Sequence, residues 1–172
     1  MPQRPNLGGG KRGLSARPLP RAPARYILVM RRFLIALFFF ASPAAAWEFT
    51  ANPICTLSHA TPDAALRVTY DPRGPVYAIA LTRSASKWQD SPTFAIRFDG
   101  ARGLTITTDR HKITDADTTL RVEDSGFSNV LNGLEFNREA TALTSRQALA
   151  FPLDGIAQPM AAFRACVDGG TV

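Results

Sequence analysis

Apolar and polar residues alternate along most of the chain beyond residue 60, and this period of two constrains the fold more than any other feature. Leu66, Val68 and Tyr70 alternate with polar residues, which places the apolar side chains on one face of a strand. Clusters rich in Gly, Pro and Asp between such segments are typical of turns. Further strands are predicted at 76–81, 94–99, 104–108, 120–122 and 149–153. The pattern predicts a mainly β domain, an antiparallel β-sandwich or open barrel of about seven or eight strands.

Three short segments of the last third also allow helices. Asn132-Gly133 predicts a hairpin turn, although a short helical turn over 128–131 competes with it. Asn137 is placed to cap a brief helix over 138–143. Pro159 suits the first turn of a final helix, because proline is tolerated there. We therefore predict a C-terminal helix over about 158–166 that packs on the sheets.

Residues 30–46 have the order of a cleavable secretory signal. A positive start of Met30-Arg31-Arg32 precedes an apolar run, and Ser42-Pro43 separates that run from three alanines. The apolar run, 33–41, has nine residues, whereas a membrane-spanning helix needs about 20. We therefore expect cleavage before Trp47, a periplasmic or secreted bacterial product, and no membrane span after cleavage.

The segment before this signal, residues 1–29, is interpreted as an extension created by a start codon assigned too early. The alternative is a disordered basic arm that binds nucleic acid or anionic lipid. Residues 1–46 contain Lys11 and seven arginines but no acidic residue, so 12 of the 20 basic residues remain in 47–172. Those 12 face 14 acidic residues, a net charge of −2. This balance argues against a nucleic-acid partner for the single domain 47–172.

The two cysteines of the chain, Cys55 and Cys166, lie near opposite ends of this domain. An even pair in an exported domain predicts one structural disulfide, since such bonds form and persist outside the cytoplasm. The alternative is a redox or metal-binding pair, which the absence of CxxC spacing does not favour.

His111 is the first candidate for catalysis. Asp109 and Asp115 lie close enough in sequence to orient its imidazole as a general base. The alternative is a solvated loop histidine, because no serine or cysteine lies in a recognisable nucleophile turn. His59, with Ser58 and Asp63 nearby, is a poorer candidate, since residues so close in sequence rarely attain triad geometry.

Oxygen-rich and aromatic residues provide the other candidate sites. Asp115 and Asp117 are candidate calcium ligands, but their segment lacks the glycine and distal glutamate of the EF-hand pattern. A turn built on aspartates is the alternative. No motif indicates a cofactor, and none is expected. The aromatic residues Trp47, Trp88, Phe94 and Phe98 are assigned to the core in preference to a ligand groove.

Two stretches resemble known proteins. Residues 151–166, FPLDGIAQPMAAFRAC, resemble the C-terminal signature of the invasion-associated locus B family, small exported bacterial proteins in which a strand and a glycine lead into an alanine-rich helix ending in cysteine. Residues 47–172, from Trp47-Glu48-Phe49 through 126–131, also resemble uncharacterised small exported bacterial proteins, some of which carry the automated label of an excinuclease ABC component. The chain has no GxxxxGK[ST] loop, so the helicase activity in that label is not implied.

These observations leave two classes of function. The first is a monomeric, non-enzymatic periplasmic binding or interaction module, whose partner is an envelope protein or a small ligand. The second is a small periplasmic hydrolase or lyase that uses His111 with Asp109 or Asp115. An apolar groove beside Trp88 would favour the first. His111 in a concave pocket, with a carboxylate or hydroxyl at about 3 Å, would favour the second.

Overall fold

A computed structural model describes residues 46–169 of the chain, which belong to the unit Ala44–Val172. The predicted N-terminal extension, and all of the predicted leader except its last residue, lie outside the described residues. Ten strands and two helices follow one another in the described part. They are β1 (Trp47–Thr50), β2 (Cys55–Ala60), β3 (Ala64–Asp71), β4 (Val76–Arg83), β5 (Phe94–Gly100), β6 (Leu104–Thr108), β7 (Lys112–Thr114), β8 (Thr119–Asp124), α1 (Ser128–Phe136), β9 (Asn137–Leu143), β10 (Ala148–Pro152) and α2 (Ala157–Val167).

The strands form two antiparallel sheets. The first has the order β1-β2-β3-β4-β8-β7, and the second has the order β10-β9-β5-β6. The prediction of a mainly β fold with a C-terminal helix is confirmed. The ten strands within residues 46–169 exceed the predicted count of about seven or eight, because β1 and β7 are too short to show a clear period of two and β9 lies where a helix was predicted.

The core lies between the two sheets and is formed by the alternating apolar residues. Leu66 and Val68 of β3 are fully buried, and the inward side chains of β5, Phe94, Ile96 and Phe98, are buried as well. Side chains of both sheets and both helices join in one hydrophobic cluster. The period of two therefore identified the buried face correctly in both sheets.

The predicted helix over 138–143 is wrong, because these residues form β9. This strand pairs with β5 on one side and with β10 on the other. Ala140 and Ala142 are fully buried on its inward face. Alanine favours helices locally, but pairing on both edges and burial of the inward face outweigh that preference here.

Gly133 lies within α1, so the helical alternative for this segment is correct and the hairpin is not. A Cβ atom at this position would lie 2.4 Å from the ring of Phe98. The glycine therefore allows α1 to approach β5 closely. The helix ends at Phe136, and the side-chain amide of the next residue, Asn137, donates to the carbonyl oxygen of Gly133 at 2.9 Å. Asn137 thus closes α1 rather than capping a helix that follows it.

Helix α2, a disulfide and one long-range hydrogen bond stabilise one side of the sandwich. This helix packs against β1 and β2, and the predicted disulfide between Cys55 and Cys166 is present, with their Cα atoms 6.0 Å apart. The indole N–H of Trp47 also donates to the carbonyl oxygen of Pro152 at 3.1 Å, which links β1 to the end of β10. Neither helix within residues 46–169 is long and apolar enough to cross a bilayer.

Candidate functional site

An apolar cleft enters the core from the opposite side of the sandwich. This inter-sheet cleft has a volume of about 120 Å³. Seven apolar side chains from both sheets and α1 provide most of its lining, and Arg110 and Asp124 are its charged residues. The apolar lining consists of Ile79, Phe94, Ile96, Ile106, Val122, Phe127 and Val130.

The strand pairing explains why the cleft lies on this side. β6 pairs only with β5 and therefore ends its sheet. β7 ends the other sheet, but its three residues reach only Thr119–Arg121 of β8. The rest of β8, which includes Val122 and Asp124, has no strand on its outer side within residues 46–169. The inter-sheet space between β6 and this part of β8 is consequently left open.

A larger polar groove adjoins the cleft where the chain passes from β6 to β7. Its volume is about 530 Å³. Three basic and two acidic side chains line it, together with His111 and Thr114. The charged residues are Asp109, Arg110, Lys112, Arg121 and Glu123. Arg110 lines both spaces, so the apolar cleft and the polar groove meet at its side chain.

Hydrogen bonds hold Arg110 at this junction. Its guanidinium Nη2 donates to Asp124 Oδ2, and its backbone N–H donates to the hydroxyl of Thr108 at 3.1 Å. Asp124 also accepts the backbone N–H of Ser125 at 2.8 Å and that of Gly126 at 3.4 Å. The Gly126 N–H lowers the pKa of Asp124 below its usual range, and the Ser125 N–H and the Arg110 guanidinium act in the same direction. Asp124 therefore remains ionised at neutral pH.

The remaining charges of the polar groove are only partly paired. Arg121 and Glu123 form an ion pair at 2.8 Å. Within residues 46–169, Lys112 and Asp109 take part in no ion pair, so one free cation and one free carboxylate face the groove.

The structure brings His111 and Asp109 to the polar groove, while Asp115 lies in a neighbouring depression with Arg67 and Arg121. His111 is half-buried, with its ring centroid 6.2 Å from that of Phe94. It is therefore less exposed than a solvated loop residue. Its Nδ1 is buried and has no hydrogen-bond partner within residues 46–169. The catalytic role of His111 with Asp109 or Asp115 stays a prediction.

Asp115 and Asp117 lie in the tight turn between β7 and β8. Asp115, Ala116 and Asp117 have positive φ angles of 55°, 54° and 71°, a conformation that aspartate tolerates. The Asp117 carboxylate pairs with Lys87 at 3.3 Å. No group of three or more His, Cys, Asp or Glu side chains suited to a metal occurs in the part of the chain that the structure describes.

The assignment of the aromatic residues to the core is confirmed. Trp47, Trp88, Phe94 and Phe98 are all buried, and the indole N–H of Trp88 donates to the carbonyl oxygen of Leu81 at 2.9 Å. Of the four, only Phe94 lines the inter-sheet cleft. An apolar space is thus present, but beside β6 rather than beside Trp88.

His59 belongs to the core. Its ring stacks on that of Trp47 with the centroids 4.8 Å apart, and both of its nitrogens lack a hydrogen-bond partner within residues 46–169. Ser58 precedes it on β2, and successive side chains of a strand point to opposite faces. The geometry of a Ser58-His59 catalytic pair is therefore absent.

Sequence reasoning missed Arg110 and the apolar lining of the cleft. The one local signal was the charged run 109–112 directly after a predicted strand. Comparisons of the chain with protein-family models, with curated proteins and with solved structures found no match.

Proposed function

We propose that the protein is a non-enzymatic binding protein of the bacterial cell envelope that takes a small apolar group into the inter-sheet cleft. The observation that supports this most strongly is the apolar cleft itself, with a volume of about 120 Å³ and an opening to the surface. Filling an open apolar cleft removes its lining from water, which is favourable in proportion to the apolar area buried. The cleft is therefore suited to an apolar occupant.

The volume restricts what enters. An engineered apolar cavity of about 150 Å³ binds benzene, whereas pockets for drug-sized ligands have volumes of about 300–1,000 Å³. The volume of the inter-sheet cleft, about 120 Å³, is close to that of the benzene-binding cavity. A single ring or a short alkyl segment fits it, so the bound group is a small molecule or one end of a larger molecule.

Location in the envelope is supported by the sequence and by the disulfide. The leader pattern of residues 30–46 and the resemblance of 151–166 to invasion-associated locus B proteins both indicate export. The bond between Cys55 and Cys166 suits an oxidising compartment. The alternative of a hydrolase or lyase is less well supported, because His111 lacks an orienting partner among the described residues.

Export is tested by expressing the chain from Met30 in a bacterial host. We expect a periplasmic product whose intact mass corresponds to a chain that starts at Trp47, since signal peptidase cleaves after small residues such as Ala44-Ala45-Ala46. A product that keeps residues 30–46, or that stays in the cytoplasm, would contradict the proposed location.

Binding is tested with 1-hexanol as a neutral apolar probe, by titration of the folded protein while amide NMR signals are recorded. We expect the signals of Ile106, Gly126 and Phe127 to shift in a saturable manner, because these residues line the cleft. Ile106→Trp should abolish the response, since Ile106 lies half-buried on edge strand β6 and a larger ring there fills the cleft.

Leu149→Trp is the matched control. Leu149 is a half-buried apolar residue on β10, the opposite edge strand of the same sheet, and it does not line the cleft. This variant should bind 1-hexanol as the parent protein does. Shifts that do not saturate, or that persist in Ile106→Trp, would overturn the proposal.

A further inference from the structure

We infer that the ligand is an anionic amphiphile, a carboxylate with a short alkyl tail, whose tail occupies the inter-sheet cleft and whose head binds Arg110. This inference rests on the proposed function and names the class of ligand. It follows from the position of Arg110 between an apolar space and a polar one.

The apolar cleft and the adjoining polar groove determine which end of a ligand lies in which space. The cleft is lined mainly by apolar side chains, and burial of alkyl groups there is favourable in proportion to the area removed from water. A molecule that enters the cleft by one end leaves its other end at the polar groove, because both spaces share Arg110. An apolar tail with a polar head matches this arrangement.

The hydrogen-bond donors at the junction select the charge of the head. A guanidinium carries five N–H donors and binds carboxylates in a bidentate manner. Within residues 46–169, the side chain of Arg110 donates only to Asp124, through Nη2. Other N–H groups of the same guanidinium therefore remain available to a ligand carboxylate.

The carboxylates at the junction offer less to a cationic head. Asp124 already accepts hydrogen bonds from Arg110, Ser125 and Gly126, and Glu123 is paired with Arg121. Asp109 is the one groove carboxylate without an ion pair in the described residues, and the unpaired cation Lys112 offsets its charge. The available N–H donors of Arg110 therefore make the junction prefer an anionic head group to a cationic one.

Arg110 is also held in place before a ligand arrives. The Asp124 carboxylate fixes its guanidinium, and Thr108 Oγ1 accepts its backbone N–H. A side chain that is already ordered loses less conformational entropy when it binds, which favours affinity. Asp124 thus acts as a positioning residue, while Arg110 contacts the ligand.

The test compares three probes with the same alkyl chain, namely hexanoate, 1-hexanol and hexylammonium, by NMR titration of the folded protein. We expect hexanoate to bind about three- to tenfold more tightly than 1-hexanol, the range expected for one partly exposed charge-assisted contact. Hexylammonium should bind more weakly than 1-hexanol. The preference for hexanoate should shrink at high salt, because the head group is at the surface.

Arg110→Gln should remove the preference, so that this variant binds hexanoate no more tightly than it binds 1-hexanol. Arg97→Gln is the matched control, because Arg97 forms a comparable exposed pair with Asp99 at 2.8 Å but does not line the cleft. This variant should keep the preference for hexanoate in full.

The possible results separate the two proposals. Equal affinities for hexanoate and 1-hexanol, or tighter binding of hexylammonium, would overturn the anionic head and leave the apolar cleft as a binding site. A preference for hexanoate that survives in Arg110→Gln would also refute the role of Arg110. If none of the three probes binds, both the ligand class and the proposed function are wrong.

Discussion

Replacing Cys55 and Cys166 together by alanine is expected to lower the free energy of unfolding by about 2–5 kcal/mol. The bond joins residues 111 positions apart, and cross-linking so long a loop removes much of the conformational freedom of the unfolded chain. It also fixes α2 to β2. Urea unfolding of the parent protein and of the double variant, each with and without a reducing agent, measures this difference.

The double variant provides its own control, because the reducing agent should leave its stability unchanged. The oxidised parent should show no free thiol after denaturation. Two thiols that react freely, or a parent whose stability is insensitive to reduction, would contradict the contribution of the bond.

Asn137→Ala is expected to lower the free energy of unfolding by about 3 kcal/mol, because it removes three buried or part-buried hydrogen bonds that contribute about 1 kcal/mol each. The Asn137 amide donates to the carbonyl oxygens of Gly133 and Arg102 at 2.9 and 3.1 Å, and its Oδ1 accepts the backbone N–H of Arg102 at 2.9 Å. One side chain thus joins the end of α1 to the turn between β5 and β6. Urea unfolding monitored by circular dichroism measures the loss.

Two further variants distinguish these hydrogen bonds from a general effect of substitution. Asn129→Ala changes an exposed asparagine of the same helix and should alter stability by less than about 0.5 kcal/mol. Asn137→Asp keeps the shape and the acceptor but removes both donors, so it should be at least as unstable as Asn137→Ala at neutral pH. An aspartate variant as stable as the parent would rule out the donor role.

The parts of the fold that sequence predicted well are those in which local pattern and tertiary environment agree. Leu66 and Val68 alternate with polar residues, and their strand is buried on one face. The cysteine pair followed from chemistry and compartment rather than from spacing. The alternation was evident within one short segment, and the disulfide followed from the number of cysteines and the leader pattern.

The segments around Asn137 were predicted less well because their structure depends on distant partners. Residues 138–143 have helix-favouring composition, yet they form β9 between β5 and β10. Gly133 fits a turn by local preference, and only the contact with Phe98 explains a glycine inside a helix. The conformation of both segments is determined by tertiary contacts, which local preference does not reveal.

The candidate site was less predictable still. Its lining comes from β4, β5, β6, β8 and α1, which no sequence spacing brings together. The opening exists because β7 reaches only Arg121 of β8, and strand pairing of this kind is a property of the folded sheet. Asp109 and His111, named as candidates from the sequence, line the polar groove, whereas Arg110 between them was overlooked because it has no motif of its own.

The positions of the two cysteines determine how late in synthesis the disulfide can form. It joins the start of β2 to the end of α2, so every strand from β3 to β10 must be synthesised before the bond can close. Strands β1 to β4 are neighbours both in sequence and in their sheet, and they can pair while the rest of the chain is still emerging. Pairing of β5 with β9 and of β4 with β8 has to wait for later segments. The covalent bond therefore cannot contribute to any strand pairing that occurs before α2 has emerged.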